Sequence, residues 1–361
     1  MKHSGRRIRE GFLLLFLLFL LGLLLVNAEV AGEGVTRGIR LCTQTLFPSL
    51  FPFLVLSELL LALGIGNLLK HVFSRPVATL FGVSPASFTA FLLGALCGFP
   101  IGTTAALSLY RQGEISKAEF ERIMLFCNNP SAGFLISAVG RGMLQSVQAG
   151  IALFFITQLS ALLVALLLRL FLGSAERGQN PPHIASTALP STTLLVQSIK
   201  NAFSSLLGVC AFVLFFSSAC ACIAAAADRF SLPGTPSLLL QGMLEMTCGI
   251  SLATDALPFE RAFLATVLFA AFSGLCVCFQ LYATAQGLAP SPLLYLAAKG
   301  LQALVALTLA IGYLHLFPAL QPQAGSAPTI AGIANRPITL SLLFFLLVLT
   351  VCLQKRKKRS R

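Results

Sequence analysis

Long apolar runs joined by short polar connectors dominate the chain. The runs 12–26, 46–64, 147–168, 203–227, 263–285, 293–317 and 338–353 carry almost no charge. A bilayer-spanning helix needs about 20 apolar residues, so these runs predict membrane-crossing helices. Three further apolar stretches are interrupted. Gly98-Phe99-Pro100-Ile101-Gly102 splits 84–109, Asn128-Asn129-Pro130-Ser131 splits 123–140, and the stretch around Glu245 breaks 237–254. Lipid offers no partner to a freed backbone group, so such breaks belong where protein or a polar cavity supplies one. Paired broken helices are also the pattern that marks a transporter's binding site.

Composition agrees with a bilayer protein. Of 361 residues, 57% are hydrophobic and 10% charged, against about 25% charged in soluble domains. The formal charge of +13 would suit a nucleic-acid binder if it were clustered on a folded face. Much of it lies instead at the two ends, in Lys2, Arg6, Arg7 and Arg9 and in the tail from Lys355 to Arg361. There the positive-inside rule explains it, with both termini cytoplasmic and an even number of crossings. The ten cysteines show no paired C-x-x-C or Cys/His spacing, which argues against structural zinc and for small buried hydrophobes. The chain has no nucleophile elbow, H-E-x-x-H or phosphate loop, so no catalytic residue, cofactor or metal is assigned and the chain reads as a non-enzyme.

Charge also selects a topology. If 84–109 is a re-entrant hairpin with its tip at GFPIG, then Lys70, Arg75, Arg111, Lys117 and Arg122 all stay on the cytoplasmic side. A second hairpin at 237–254 gives each half three crossings. An odd number inverts the second copy, an arrangement common in secondary transporters. The expectation is an all-α polytopic membrane protein with about eight transmembrane helices, two re-entrant helical hairpins and an inverted repeat. Its parts are a first segment 1–28, a repeat 29–168, a polar cytoplasmic linker 169–200, a second repeat 201–317, and a last helix with a basic tail 318–361. The first segment is signal-like, since Val26-Asn27-Ala28 resembles a cleavage site. It is read here as an uncleaved span.

Candidate binding residues follow from the breaks. Gly98, Pro100 and Gly102 form the first tip, and the helix that follows, starting near Thr103 and Thr104, offers N–H groups and a dipole to an anion or carbonyl. Small residues there also serve close helix packing. Asn128 and Asn129 supply amide donors and acceptors beside Pro130, either to a ligand or as polar ties between helices, and Ser131 suits a helix cap. Glu58, Glu245 and Lys299 are the ionisable residues deepest in apolar segments, where such groups are expensive and usually face a cavity or one another. A Glu245–Lys299 pair and proton coupling through Glu58 or Glu245 both fit. Asp255 and His315 lie near span ends and read as interfacial.

Four phrases carry a family resemblance: LFPSLFPFLVLSELL (46–60), CGFPIG (97–102), YRQGEISKAEFER (110–122) and FCNNPSAGFLISAVG (126–140). With them the chain resembles sporulation integral membrane proteins of the YlbJ type, strongly over 40–165 and more weakly over 200–315. The resemblance implies paired nucleoside-recognition (Gate) domains, similar to the core repeats of concentrative nucleoside transporters. It further implies movement of a small metabolite during endospore formation, with dipicolinic acid as the family's associated solute. The nucleoside in the domain's name is not taken as the substrate. A nucleoside permease and a non-transporting scaffold or receptor in spore assembly are the alternatives. Expected partners are the small-molecule substrate, the lipid bilayer, and further copies of the chain or other sporulation membrane proteins, with no nucleic acid. The second half departs from the first, having Phe272-Ser273-Gly274 where the first has Asn-Asn-Pro.

Overall fold

The structure is a computed structural model that describes residue 18 and residues 21–63, 80–175, 191–229 and 234–317. Most of the run 12–26, the basic loop with Lys70, His71 and Arg75, much of the linker, and the last helix with its tail lie outside the described residues. Regular structure in the described residues is entirely helical. Five helices there are long and apolar enough to cross a membrane: Ala28–Leu60, Val147–Leu172, Thr192–Arg229, Phe259–Ala285 and Pro292–Leu316.

The first of these begins far upstream of the expected start at residue 46. Helix α1 (Ala28–Leu41) runs through a π-helical turn (Cys42–Leu46) into α2 (Phe47–Ala62). Pro48 donates no bond to the carbonyl of Gln44 and its ring crowds it. The wide turn just before, closed by Phe47 N–H to Cys42 O, relieves that conflict.

The interrupted stretches fold back or unwind. Helix α3 (Pro85–Cys97) starts on Ser84, whose Oγ accepts from Ser87 N at 3.2 Å, and ends at Gly98 with φ 86°. Helix α4 (Ile101–Arg111) then returns along α3. A Cβ built on Gly94 would lie 3.0 Å from Gly102 Cα, although a continuous helix would separate such positions by about 12 Å. Helices α3 and α4 have 13 and 11 residues, hence lengths of about 17–20 Å against a hydrocarbon core of about 30 Å. Helix α5 (Lys117–Met124) opens with a Ser116–Glu119 capping box. Glu119 Oε1 also accepts from Ser84 N at 2.7 Å, which ties the connector to the base of the hairpin.

The stretch expected as one broken span, 123–140, is α-helical only to Met124. It is irregular through Asn128–Ser131 and resumes as a π-helix, Gly133–Met143. Helix α6 (Val147–Leu172) follows, and Arg122 Nη1 donates to the Leu168 and Gly173 carbonyls near its end, each at 3.1 Å. Helix α7 (Ser191–Arg229) is longer than the expected span 203–227, so the last residues assigned to the linker are helical.

Helices α8 (Gly234–Leu244) and α9 (Met246–Ala256) make a second hairpin turning on Glu245. A Cβ on Gly249 there would come within 2.2 Å of Gly242 Cα. The run 263–285 is two helices, α10 (Phe259–Phe272) and α11 (Gly274–Ala285), parted by Ser273 and Gly274 with φ of 71° and 77°. Helix α12 (Pro292–Leu316) closes the described chain. Helix α7 packs on α1 through glycine: a Cβ on Gly34 would meet Ala221 Cβ and the Ser217 carbonyl at 2.8 Å. Small residues allow such backbone approach where lipid supplies no hydrophobic drive between helices.

Candidate functional site

The two hairpin tips and the unwound segment converge on one place. The tip of the first hairpin (Gly98, Phe99), the unwound segment (Pro130, Ser131) and the tip of the second hairpin (Glu245, Met246, Thr247) line a single cavity. Its remaining wall is mostly apolar, from Leu46 and Leu50, from Phe134, from Val209 and Val213 of α7, and from Val277 and Gln280 of α11. About 20 Å³ is open to the centre of a water molecule, room for one or two waters and not for a metabolite. The polar groups at the wall are few. Glu245 Oε2 accepts from Cys248 N at 2.6 Å, capping α9, while Ser131 Oγ accepts from Phe134 N at 3.1 Å. Gln280 donates to Cys276 Sγ at 3.3 Å, and its Oε1 has no partner. Among the described residues, no cationic side chain lines the cavity.

The two asparagines stand behind that wall, fully buried, and mend the break. Asn128 Oδ1 accepts from Thr103 N at 3.2 Å and from Thr103 Oγ1 at 2.9 Å. It therefore occupies the place at the start of α4 that the sequence suggested for a substrate oxygen. Asn128 Nδ2 donates to Met124 O. Asn129 Nδ2 donates at 2.9 Å to Phe126 O, the carbonyl that Pro130 leaves without its helical donor. Close approach completes the fit, because a Cβ on Gly102 would sit 2.4 Å from the Cys127 carbonyl oxygen.

Helix α12 grips the same segment. Lys299, 1% exposed, donates to Asn128 O at 3.0 Å and to Gln302 Oε1 at 2.7 Å. Gln302 in turn donates to Asn129 Oδ1 at 2.7 Å and to Thr157 O of α6 at 3.3 Å. A Glu245–Lys299 ion pair does not form: Glu245 caps α9, and Lys299 donates to Asn128 O and Gln302 Oε1. Glu58 is also elsewhere, half-buried beside Asn201 of α7 and away from the cavity. Thr104 Oγ1 bonds Pro100 O within the start of α4, which begins at Ile101 rather than at the threonines.

Gly98, Ser131 and Glu245 thus line the cavity. Thr103, Asn128, Asn129 and Lys299 form the network behind it, Pro100 and Gly102 shape the tip, and Glu58 is separate. Sequence reasoning missed Gln280, Thr247, Gln302 and Thr157. A signal existed for Gln302, which is three residues after Lys299 and so shares its helix face.

Over 298 residues the chain is 28% identical to the sporulation integral membrane protein YlbJ of Bacillus subtilis (strain 168), covering 73% of this chain and 72% of that one. The similarity supports the YlbJ-type family. No family model matches the chain, and no solved structure matches it significantly. The five long apolar helices agree with the integral-membrane description of the YlbJ relative, and together they support a multi-pass membrane protein.

Proposed function

We propose that the chain is a transporter of a small carboxylate-bearing metabolite, of the dipicolinic-acid kind, acting in endospore formation. The observation that carries this reading is the convergence of both hairpin tips and the unwound segment on one cavity. Each of these elements ends or interrupts a helix, and together they give polar groups and movable tips at the centre of an apolar bundle. On this reading the hairpins are re-entrant, the two halves form an inverted repeat with about eight crossings, and both termini are cytoplasmic. The cavity is too small for a metabolite, so substrate binding requires the tips to part, and parting them alternately exposes the site to either face.

Glu245 sets the charge balance. A carboxylate substrate beside an ionised Glu245, in a cavity without a lining cation, would face strong repulsion. Transport of an anion through this site therefore carries a proton, held on the substrate or on the Glu245 oxygen not engaged by Cys248 N. A second reading, a permease for neutral polar solutes such as nucleosides, draws support from the same absence of a lining cation and from the unpartnered Gln280 Oε1.

Uptake by purified protein in liposomes tests both. Labelled dipicolinate flux that saturates, rises with an inward proton gradient and loses that dependence in Glu245→Gln supports the first reading. Nucleoside flux alone supports the second. Flux of neither favours a non-transporting scaffold or receptor.

A further inference from the structure

A second cavity adjoins the first, sharing Thr247 in its wall, and its chemistry differs. It has a volume of about 340 Å³, within the range of about 300–1,000 Å³ typical of small-molecule sites. The continuous stretch α1–α2, helix α7 and helix α9 contribute to both chambers. Along α1 and α2 the lining passes from Arg37, Arg40, Leu41, Gln44 and Thr45 in the outer chamber to Leu46 and Leu50 in the inner one. Along α7 it passes from Ser217 to Val213 and Val209, and along α9 from Asp255 and Ser251 to Thr247 and Glu245. Thr247 lines both chambers and so marks the partition between them.

The outer chamber carries the cations that the inner one lacks. Arg37 and Arg40, three residues apart, share one face of α1, and Gln44 follows from the π-helical turn. Gly34 and Gly38 hold that helix close against α7, which fixes the arginine stripe at the chamber wall. Asp255 is the one acid in the lining, and Ser251 Oγ donates to its Oδ2 at 3.4 Å. Among the described residues neither guanidinium forms an ion pair. The hydroxyls and amides of Thr45, Ser217, Ser251, Gln44 and Gln241 complete a polar wall.

We infer that this chamber is an antechamber that binds a small carboxylate anion on Arg37 and Arg40 before the hairpin tip at Thr247 admits it to the inner cavity. Planar guanidinium forks match carboxylates and hold their charge at any working pH. Two like charges on one wall of a recess raise the local concentration of anions. The inference deepens the transport reading above and rests on it for direction, though the binding it describes is measurable without transport.

The test uses the full chain with Leu252→Cys, since Leu252 lines the chamber and is 37% exposed. Purified protein is modified with anionic and cationic methanethiosulfonates of matched size. Rates are taken over those of the parent chain and normalised to the same reagents on a free small thiol. The expected result is an anionic preference of about tenfold, abolished in Arg37→Gln/Arg40→Gln and kept in Arg37→Lys/Arg40→Lys. Pyridine-2,6-dicarboxylate slows modification in the arginine and lysine forms and not in the glutamine form, while uridine has no effect. Equal normalised rates, a preference that survives in a glutamine variant eluting as a single folded species, or no protection by the dicarboxylate would overturn the inference. Anionic preference and protection without flux in liposomes would strike the transport reading and leave the binding chamber standing.

Discussion

Lys299 Nζ lies 3.0 Å from the carbonyl oxygen of Asn128, a contact between residues 171 positions apart in the chain. It joins α12 to the unwound segment at the point where the helix has lost its own hydrogen bonds. Gln302, 2.7 Å from both Lys299 Nζ and Asn129 Oδ1, makes that contact part of a closed polar network. A buried amine left without acceptors is expensive, so the oxygens around Lys299 matter to the fold as well as to the site.

Replacing Lys299 with Met should lower thermal stability without preventing membrane insertion. Two buried acceptors lose their donor, at about 1–3 kcal/mol for each group left unsatisfied. Fluorescence-detected size-exclusion after a heating series measures this, and an unchanged melting point would show that the network does not hold the break.

Thr103 and Asn128 should behave as a coupled pair. Thr103→Val removes one of two donors to Asn128 Oδ1, and Asn128→Ala leaves Thr103 N without a partner. A double-mutant cycle on stability should return a coupling of about 0.5–3 kcal/mol. Simple additivity would mean that the hairpin and the unwound segment are not locked by this bond.

Two glycines make a controlled comparison of backbone approach. A Cβ on Gly94 would lie 2.0 Å from the Cys127 carbonyl oxygen, whereas Gly300 has nothing within 4 Å of its added Cβ. Gly94→Ala must therefore push the first hairpin off the break and should destabilise by about 1–3 kcal/mol. Gly300→Ala should be neutral or stabilising by about 0.5–1 kcal/mol, because alanine orders more readily in a helix. Equal melting points for the two variants would contradict the close packing of α3 on the unwound segment.

Glu245 has a cap and a carboxylate charge, and the two separate by substitution. Glu245→Gln keeps an oxygen to accept from Cys248 N and should retain nearly all stability. Glu245→Ala gives up the cap, a loss of about 0.5–2 kcal/mol. Thermal unfolding of both variants in detergent tests this, and an alanine variant as stable as the glutamine one would remove the cap from the account.

Much of this architecture was legible in the chain. Apolar length announces a membrane helix, and Gly, Pro and Asn announce where it stops, because both effects are local to a few residues. GFPIG, NNPS and the stretch around Glu245 each mark a real break. Ser273-Gly274 was seen only as a weak counterpart of Asn-Asn-Pro, yet it divides a helix as well, since Ser273 takes a left-handed conformation that the sequence does not advertise.

By itself, then, the sequence determined the helical membrane class and three of the positions where helices break or turn back, at GFPIG, at NNPS and around Glu245. The tertiary structure alone decided what each polar group does. It turned Asn128 and Asn129 inward to mend the backbone, set Glu245 and Ser131 on the cavity wall, and gave Lys299 a carbonyl in place of a carboxylate. The reason is physical. A helix apolar on every side carries no amphipathic stripe to show which face meets a cavity, and a buried polar group takes whichever partner packing brings within about 3 Å. In this chain those partners come from helices far apart in sequence, and only the packed bundle brings them together.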